Sequence, residues 1–247
     1  MLGQAPGIRS QHRLLFRAMS DQPPIALTRE AILSGKIHDM IKHHASPFEM
    51  RTEEERTASL DAMFDGEPIC EDVWLFAYGS LIWNPAIYFA EQRCVTVHGY
   101  HRKFCLEVHL GRGSPEAPGL MLGLDRGGSC RGVALRIPAA RAREELEVVW
   151  QREMVGTAYT AKWLRAVGNG DAIRAIGFVV DRAHDRYVGG MEEQQAAALI
   201  ADASGFLGPC ADYLEQTSSH LKKLGIPDSG LLRLQALVEK IRRGTAA

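Results

Sequence analysis

The chain has 247 residues, 46 % of them hydrophobic and 24 % charged, with a formal net charge of −1 at pH 7. Such a length buries a core as one large domain or two small ones, and the near-neutral balance gives no whole-chain electrostatic case for nucleic acid or an anionic membrane surface as partner. No apolar run approaches the ~20 residues needed to span a bilayer. The five scattered cysteines, Cys70, Cys94, Cys105, Cys130 and Cys210, form no CxxC pair and no His/Cys spacing suited to zinc. They read as reduced core or surface thiols of a cytoplasmic protein.

Residues 1–26 are rich in Gly, Gln, Pro and Arg, carry Arg9, Arg13 and Arg17 with no acid before Asp21, and close on Pro23-Pro24. They lack the continuous apolar stretch of a secretory signal and read as a loose or disordered arm. Residues 27–72 read as a helical extension. Thr28 is placed to cap a helix over about 29–43 with Ile32, Ile37, Met40 and Ile41 apolar. Thr52-Glu53-Glu54-Glu55 has the form of a capping box ahead of a second short helix bearing Leu60, Met63 and Phe64. His38, His43 and His44 lie near one another and read as solvent-facing helix histidines rather than a metal site.

A strand-rich region begins at Val73. Residues 74–77 are continuously apolar, the chain then breaks into Tyr78-Gly79-Ser80, and Leu81-Ile82-Trp83 is apolar again. This is the pattern of a buried strand ending in a tight turn. Glycine there permits close approach of a ligand, successive turn amides can form a concave anion site, and Tyr78 and Ser80 add hydroxyls. An ordinary strand-turn without a ligand has the same pattern. Residues 95–108 alternate loosely, with Gly99 allowing a bend or bulge. Residues 111–118 form a Gly/Pro/Ser loop containing Arg112. A hairpin is expected from 119–124 and 132–137 about a turn at 125–129; Arg126-Gly127-Gly128-Ser129 lacks the lysine of a phosphate-binding loop. Pro138 opens a helix as an N1-type proline, and Asn169-Gly170 joins a second hairpin, 159–167 with 172–180. Helices are expected over about 191–203, 209–224 and 229–243, with Gly205 and Gly225 as stops and Asp228 as a cap. The sum is an α+β fold: a mixed, curved, barrel-like β-sheet flanked by helices.

The helix after Pro138 carries the most informative residue. Leu146, Val149 and Trp150 fall at i, i+3 and i+4 of an amphipathic stripe, and the i+7 position is Glu153. Glu144, Glu145 and Arg152 fall on other faces and call for no explanation. A carboxylate in a partly desolvated position has its pKa raised toward that of a working acid/base. Periodicity leaves open the other reading, in which the helix ends and Glu153 reaches water or pairs with Arg152.

Phe76-Ala77-Tyr78-Gly79-Ser80-Leu81-Ile82-Trp83 resembles the signature loop of the ChaC-type, glutathione-specific γ-glutamylcyclotransferases. In order along the chain, Gly99-Tyr100-His101-Arg102, Arg112-Gly113-Ser114-Pro115, Pro118-Gly119-Leu120, Gly127-Gly128-Ser129-Cys130-Arg131-Gly132, Trp150-Gln151-Arg152-Glu153-Met154 and Asp212-Tyr213-Leu214 resemble further family segments. The likeness covers about residues 73–240 and implies a catalytic domain over 73–243, leaving the role of the first ~70 residues open. Ala77 stands where some relatives have glycine, and Ser114 replaces a threonine. The resemblance implies conversion of glutathione to 5-oxoproline and Cys-Gly, with Glu153 as general acid/base. Ala77, Tyr78, Gly79, Ser80, Leu81 and Ile82 are implied to form the substrate loop, and Arg112 and Tyr213 to contact substrate. It implies neither metal nor cofactor. A cyclotransferase for other γ-glutamyl amines or amino acids, and a non-catalytic binding protein on the same fold, are the competing readings; oligomeric state is not legible.

Overall fold

The computed structural model describes residues 24–43 and 49–245; of the arm expected over 1–26, residues 1–23 lie outside the described residues, as do His44 and the side chain of His43. The helical elements are α1 (Arg29–Leu33), α2 (Lys36–His43), α3 (Glu53–Asp61), α4 (Ala139–Glu153), α5 (Glu193–Asp202), α6 (Cys210–Lys223) and α7 (Ser229–Thr245). The main strands are β1 (Val73–Ala77), β2 (Glu91–Val108), β3 (Gly119–Ile137), β4 (Tyr159–Gly168) and β5 (Asp171–Val180); β6 (Ser204–Gly205) and β7 (Gly208–Pro209) form a separate small ribbon.

The five main strands close into a barrel in the order β1-β3-β2-β4-β5. β1 lies antiparallel to β3, from Val73 opposite Ile137 to Ala77 opposite Val133, and parallel to β5 at Trp74 and Leu75. It is therefore central, which is why its side chains from Leu75 to Ala77 are fully buried.

The expected hairpin at 125–129 is not formed. β3 runs unbroken from Gly119 to Ile137 and pairs with β2 along almost its whole length. Gly127 and Gly128 do take positive φ, as a turn would, but they sit opposite Gly99, also at positive φ, where the register shifts between His98 and Tyr100. Glycines on facing strands thus bend two strands together in a bulge, instead of folding one back on itself. The second hairpin is present, with Asn169 and Gly170 both at positive φ between β4 and β5.

The helix expected over 29–43 is broken in two. Thr28 caps α1, and Gly35 at φ +72 ends it before α2 begins at Lys36. The capping box of α3 is complete: Thr52 Oγ1 accepts from the Glu55 amide at 3.1 Å, and Glu55 Oε2 accepts from the Thr52 amide at 2.8 Å. Pro138 stands one residue earlier than expected, as the N-cap of α4. α5 stops at Asp202, short of Gly205, which belongs to β6. Asp228 caps α7 by accepting from the Leu231 amide at 3.1 Å. α4 packs on the barrel through Ala142, Leu146, Val149 and Trp150, whose ring meets Phe178 edge-on at 5.3 Å. Cys105, Cys130 and Cys210 are buried, Cys70 and Cys94 exposed, and all five are free. No helix among the described residues is long and apolar enough to cross a membrane.

Candidate active site

β1 delivers the chain to a cavity of about 200 Å³ at its C-terminal end, beside the end of α4. The strand stops at Ala77, and the next residues wind into a single 3-10 turn, Ser80–Ile82. The first amides of such a turn, here those of Ser80 and Leu81, have no acceptor inside it. The Ile82 amide is spent within the turn on Gly79 O at 2.9 Å. Tyr78, Gly79, Ser80 and Leu81 line the cavity, whereas Ala77 and Ile82 do not.

Arg102 on β2 holds the turn in place. Its side chain is only 1 % exposed; Nε donates to Tyr78 O, Nη2 to Arg131 O at 2.7 Å, and Nη1 pairs with Asp228 at 2.7 Å. Gly79 allows a close approach: a Cβ there would lie 3.0 Å from the Tyr213 hydroxyl, which would have to give way by a few tenths of an ångström. Tyr213, on α6, lines the cavity and stacks edge-on against Phe104 at 5.7 Å. Both hydroxyls singled out from sequence have partners, Tyr78 donating to Phe178 O at 2.9 Å and Ser80 accepting from Arg152 at 2.8 Å.

Glu153, the last residue of α4, projects into this cavity with its side chain 18 % exposed. Arg152, dismissed from its helical angle, is 5 % exposed and reaches across to pair with it, Nε to Oε1 at 3.0 Å. The same guanidinium donates to Ser80 Oγ and to Asn84 O, tying the acid to the turn. Both readings of Glu153 therefore hold together: the acid is desolvated and it is paired. Burial raises its pKa above the ordinary carboxylate value, and the Arg152 charge and hydrogen bond partly oppose that rise. Around it stand Tyr78, Tyr159 and Tyr213, whose phenols burial, and secondarily the nearby charges of one another and of Glu153, hold protonated well above the usual range. Tyr159 donates to Leu122 O at 2.7 Å.

Arg112 also lines the cavity, donating to Pro209 O at 3.1 Å with its guanidinium 5.9 Å from the centre of the Tyr213 ring; burial lowers its pKa. Arg186, which the sequence reading missed, is a further cavity arginine whose pKa burial lowers. Among the described residues, the charged side chains lining the cavity are thus Arg112, Arg152 and Arg186 against Glu153, an excess of positive charge that suits a ligand bearing carboxylates.

The extension reaches the same place. Leu27, Ile32, Ile37, His38 and Ile41 line the cavity, so His38 is not a solvent-facing histidine. Asn84 donates to Leu27 O at 3.0 Å, and the Arg51 amide donates to Val155 O at 2.9 Å. Glu145, also dismissed from its helical angle, is fully buried: Arg29 from α1 and Arg141 pair with it, and it accepts from the Tyr88 amide at 3.0 Å.

Residues 73–241 match the model of the ChaC-like protein family. The chain belongs to that family. Among its relatives, the glutathione-specific γ-glutamylcyclotransferase of Escherichia coli (strain K12) is 42 % identical over 189 residues, covering 76 % of this chain and 82 % of that protein. The glutathione-specific γ-glutamylcyclotransferase 1 of Homo sapiens is 29 % identical over 183 residues, 72 % of this chain and 81 % of that one. A crystal structure of the glutathione-specific enzyme from yeast superposes with a TM-score of 0.65 at 20 % identity, over 70 % of this chain and 97 % of that one, which shows the shared fold. The α+β barrel with flanking helices is thus the ChaC-like architecture. The match begins at Val73, so α1, α2 and α3 precede it.

Proposed function

We propose that this ChaC-like protein is a γ-glutamylcyclotransferase that converts glutathione to 5-oxoproline and Cys-Gly. The observation that carries the reading is Glu153: a carboxylate of raised pKa, held by Arg152 against the turn that follows β1, in a chain 42 % identical to an enzyme of that name.

The chemistry follows from these groups. The glutamyl α-ammonium gives a proton to the Glu153 carboxylate and becomes a nucleophilic amine. Its nitrogen attacks the γ-carbonyl carbon of the same residue, closing a five-membered lactam. Charge develops on the carbonyl oxygen, where donors at the start of the 3-10 turn stabilise it. As the carbon–nitrogen bond to cysteine breaks, protonated Glu153 returns its proton to the leaving nitrogen, and the restored carboxylate takes the second proton from the ring nitrogen and passes it to the freed amine, leaving the lactam N–H, the Cys-Gly ammonium and the Glu153 carboxylate. The turn amides, Arg112 and Tyr213 hold the glutamyl end bent, so that amine and carbonyl meet. The neutral phenols of Tyr78, Tyr159 and Tyr213 line the cavity without adding negative charge beside Glu153. Every step is a proton transfer or an intramolecular attack, so activity in the presence of EDTA is expected to equal that without it.

Incubation of the pure protein with glutathione, with 5-oxoproline and Cys-Gly quantified, tests the reading. Both products are expected in equal amounts, and N-acetylated glutathione is expected to be inert because its amide nitrogen is not nucleophilic. Free glutamate as product, or turnover of the N-acetyl compound, overturns it in favour of attack by water. Turnover of other γ-glutamyl compounds in preference to glutathione would move the substrate assignment within the same chemistry.

A further inference from the structure

The cavity around Glu153 has a wall that the family match does not contain. Ile32, Ile37, His38 and Ile41 come from α1 and α2, and the match begins at residue 73. The wall is built into the site on both sides of the acid. Arg29 pairs with Glu145 on α4, the helix that ends in Glu153, and the Arg51 amide with its guanidinium binds Val155 O, Gly156 O and Tyr159 O just beyond it.

Most of this wall is aliphatic; His38 is the exception. Its Nε2 is buried and makes no hydrogen bond among the described residues. A buried ring nitrogen left without a partner is costly. Burial also lowers the pKa of His38, and the charges of Arg56 and Lys42 lower it further, so the ring is held neutral, able to donate or accept one hydrogen bond without bringing a charge. His38 and Gln151 each line both the Glu153 cavity and an adjoining cleft bordered by Lys42, Arg51 and Arg56. They therefore stand between the two. Gln151 precedes Glu153 by two residues on α4, so this boundary of the cavity lies close to the acid.

We infer that His38 is a specificity-determining residue, its imidazole hydrogen-bonding to the portion of the γ-glutamyl substrate that departs on cyclisation, with the wall of α1 and α2 selecting which leaving portions are accepted. This rests on the cyclotransferase reading: if the 78–81 turn and Glu153 hold the glutamyl end, what extends past Gln151 and His38 is the remainder of the substrate. The residue touches no reacting atom, so its effect falls on binding rather than on the chemical step.

The test compares glutathione with γ-glutamylcysteine, which lacks the terminal glycine, in wild type and in His38→Ala, His38→Phe and His38→Gln. His38→Phe keeps the ring volume without a hydrogen bond, and decides the matter should His38→Ala fail to fold by circular dichroism. The expected result for Ala and Phe is a KM for glutathione raised roughly three- to tenfold with kcat within about twofold, a smaller rise for γ-glutamylcysteine, and substantial recovery in Gln, whose amide nitrogen takes the place of Nε2. An unchanged KM in folded Phe and Ala variants overturns the inference. So does an equal rise for both substrates, which would place His38 at the shared glutamyl end, and so does a loss confined to kcat. Failure of the functional reading looks different: wild type itself would then form no 5-oxoproline from either compound.

Discussion

Glu153 acts through its ionisation, so the decisive single-residue change is Glu153→Gln. Gln keeps the shape and the contact with Arg152 but moves no proton; kcat is expected to fall by ~10²–10⁴-fold while the protein stays folded. Near-wild-type turnover in a pure, folded sample would remove Glu153 from the mechanism. The pH profile carries a sharper test. The folded pKa of Glu153 is raised, and the base form is required, so activity is lost as pH falls through a value above the ordinary carboxylate range. Arg152 opposes that rise. Arg152→Gln is therefore expected to move the acid limb of kcat/KM to higher pH, as well as to lower the plateau by loosening Ser80. A limb that stays put or moves to lower pH would show that the ion pair does not set the titration. Glu153 is readable in the sequence because helical period alone puts an acid on an apolar stripe. Arg152 and Glu145 are not readable in the same way. A long guanidinium can swing back around the helix, and the burial of Glu145 is made by Arg29, more than a hundred residues away in sequence.

At the level of elements, the turn that bears the site is fixed from below by a chain of two side chains. Asp228 caps α7 and pairs with Arg102, and Arg102 holds the carbonyl of Tyr78. Asp228→Ala removes the cap and leaves the almost wholly buried Arg102 guanidinium without its carboxylate. A loss of roughly 3–5 kcal/mol in urea unfolding is expected from the stranded charge, accompanied by weaker turnover as the turn loosens. A loss below ~1 kcal/mol would mean that Arg102 is held by its two carbonyl acceptors alone. The cap itself was legible, because Asp ahead of an apolar-periodic run is a local signal; the pairing across the barrel was not. Two of the elements misjudged from sequence, the 125–129 hairpin and the 29–43 helix, share one cause. Glycine at positive φ serves a hairpin turn, a strand bulge and a helix stop equally well. Gly127-Gly128 reads as a turn until Gly99 is found facing it, and Gly35 inside an apolar-periodic run passes for a helix interior until its left-handed backbone ends α1.

For the whole molecule, the question is whether the segment ahead of the family match belongs to the catalytic unit. Residues 1–23 are polar and proline-terminated, and their removal is expected to leave kcat/KM within about twofold. Removing residues 1–48 is different, because it takes away α1 and α2, and with them Ile32, Ile37, His38 and Ile41 from the cavity. Water then reaches the Glu153 side of the cavity. The raised pKa of Glu153 is caused first by burial, so hydration lowers it toward the ordinary carboxylate value. The acid limb of kcat/KM is therefore expected to shift to lower pH in the longer truncation, opposite in sign to Arg152→Gln, while the shorter truncation keeps the full-chain profile. The plateau should fall as well, by roughly 10–10²-fold, because a substrate held on fewer sides spends less time in the bent, reactive shape. The sign of the limb shift separates this from simple destabilisation: a partly unfolded sample loses amplitude at every pH but keeps the titration of its remaining native fraction. A folded 49–247 fragment with the limb and plateau of the full chain would show that the α1–α2 wall is dispensable and that the catalytic unit begins where the family match does.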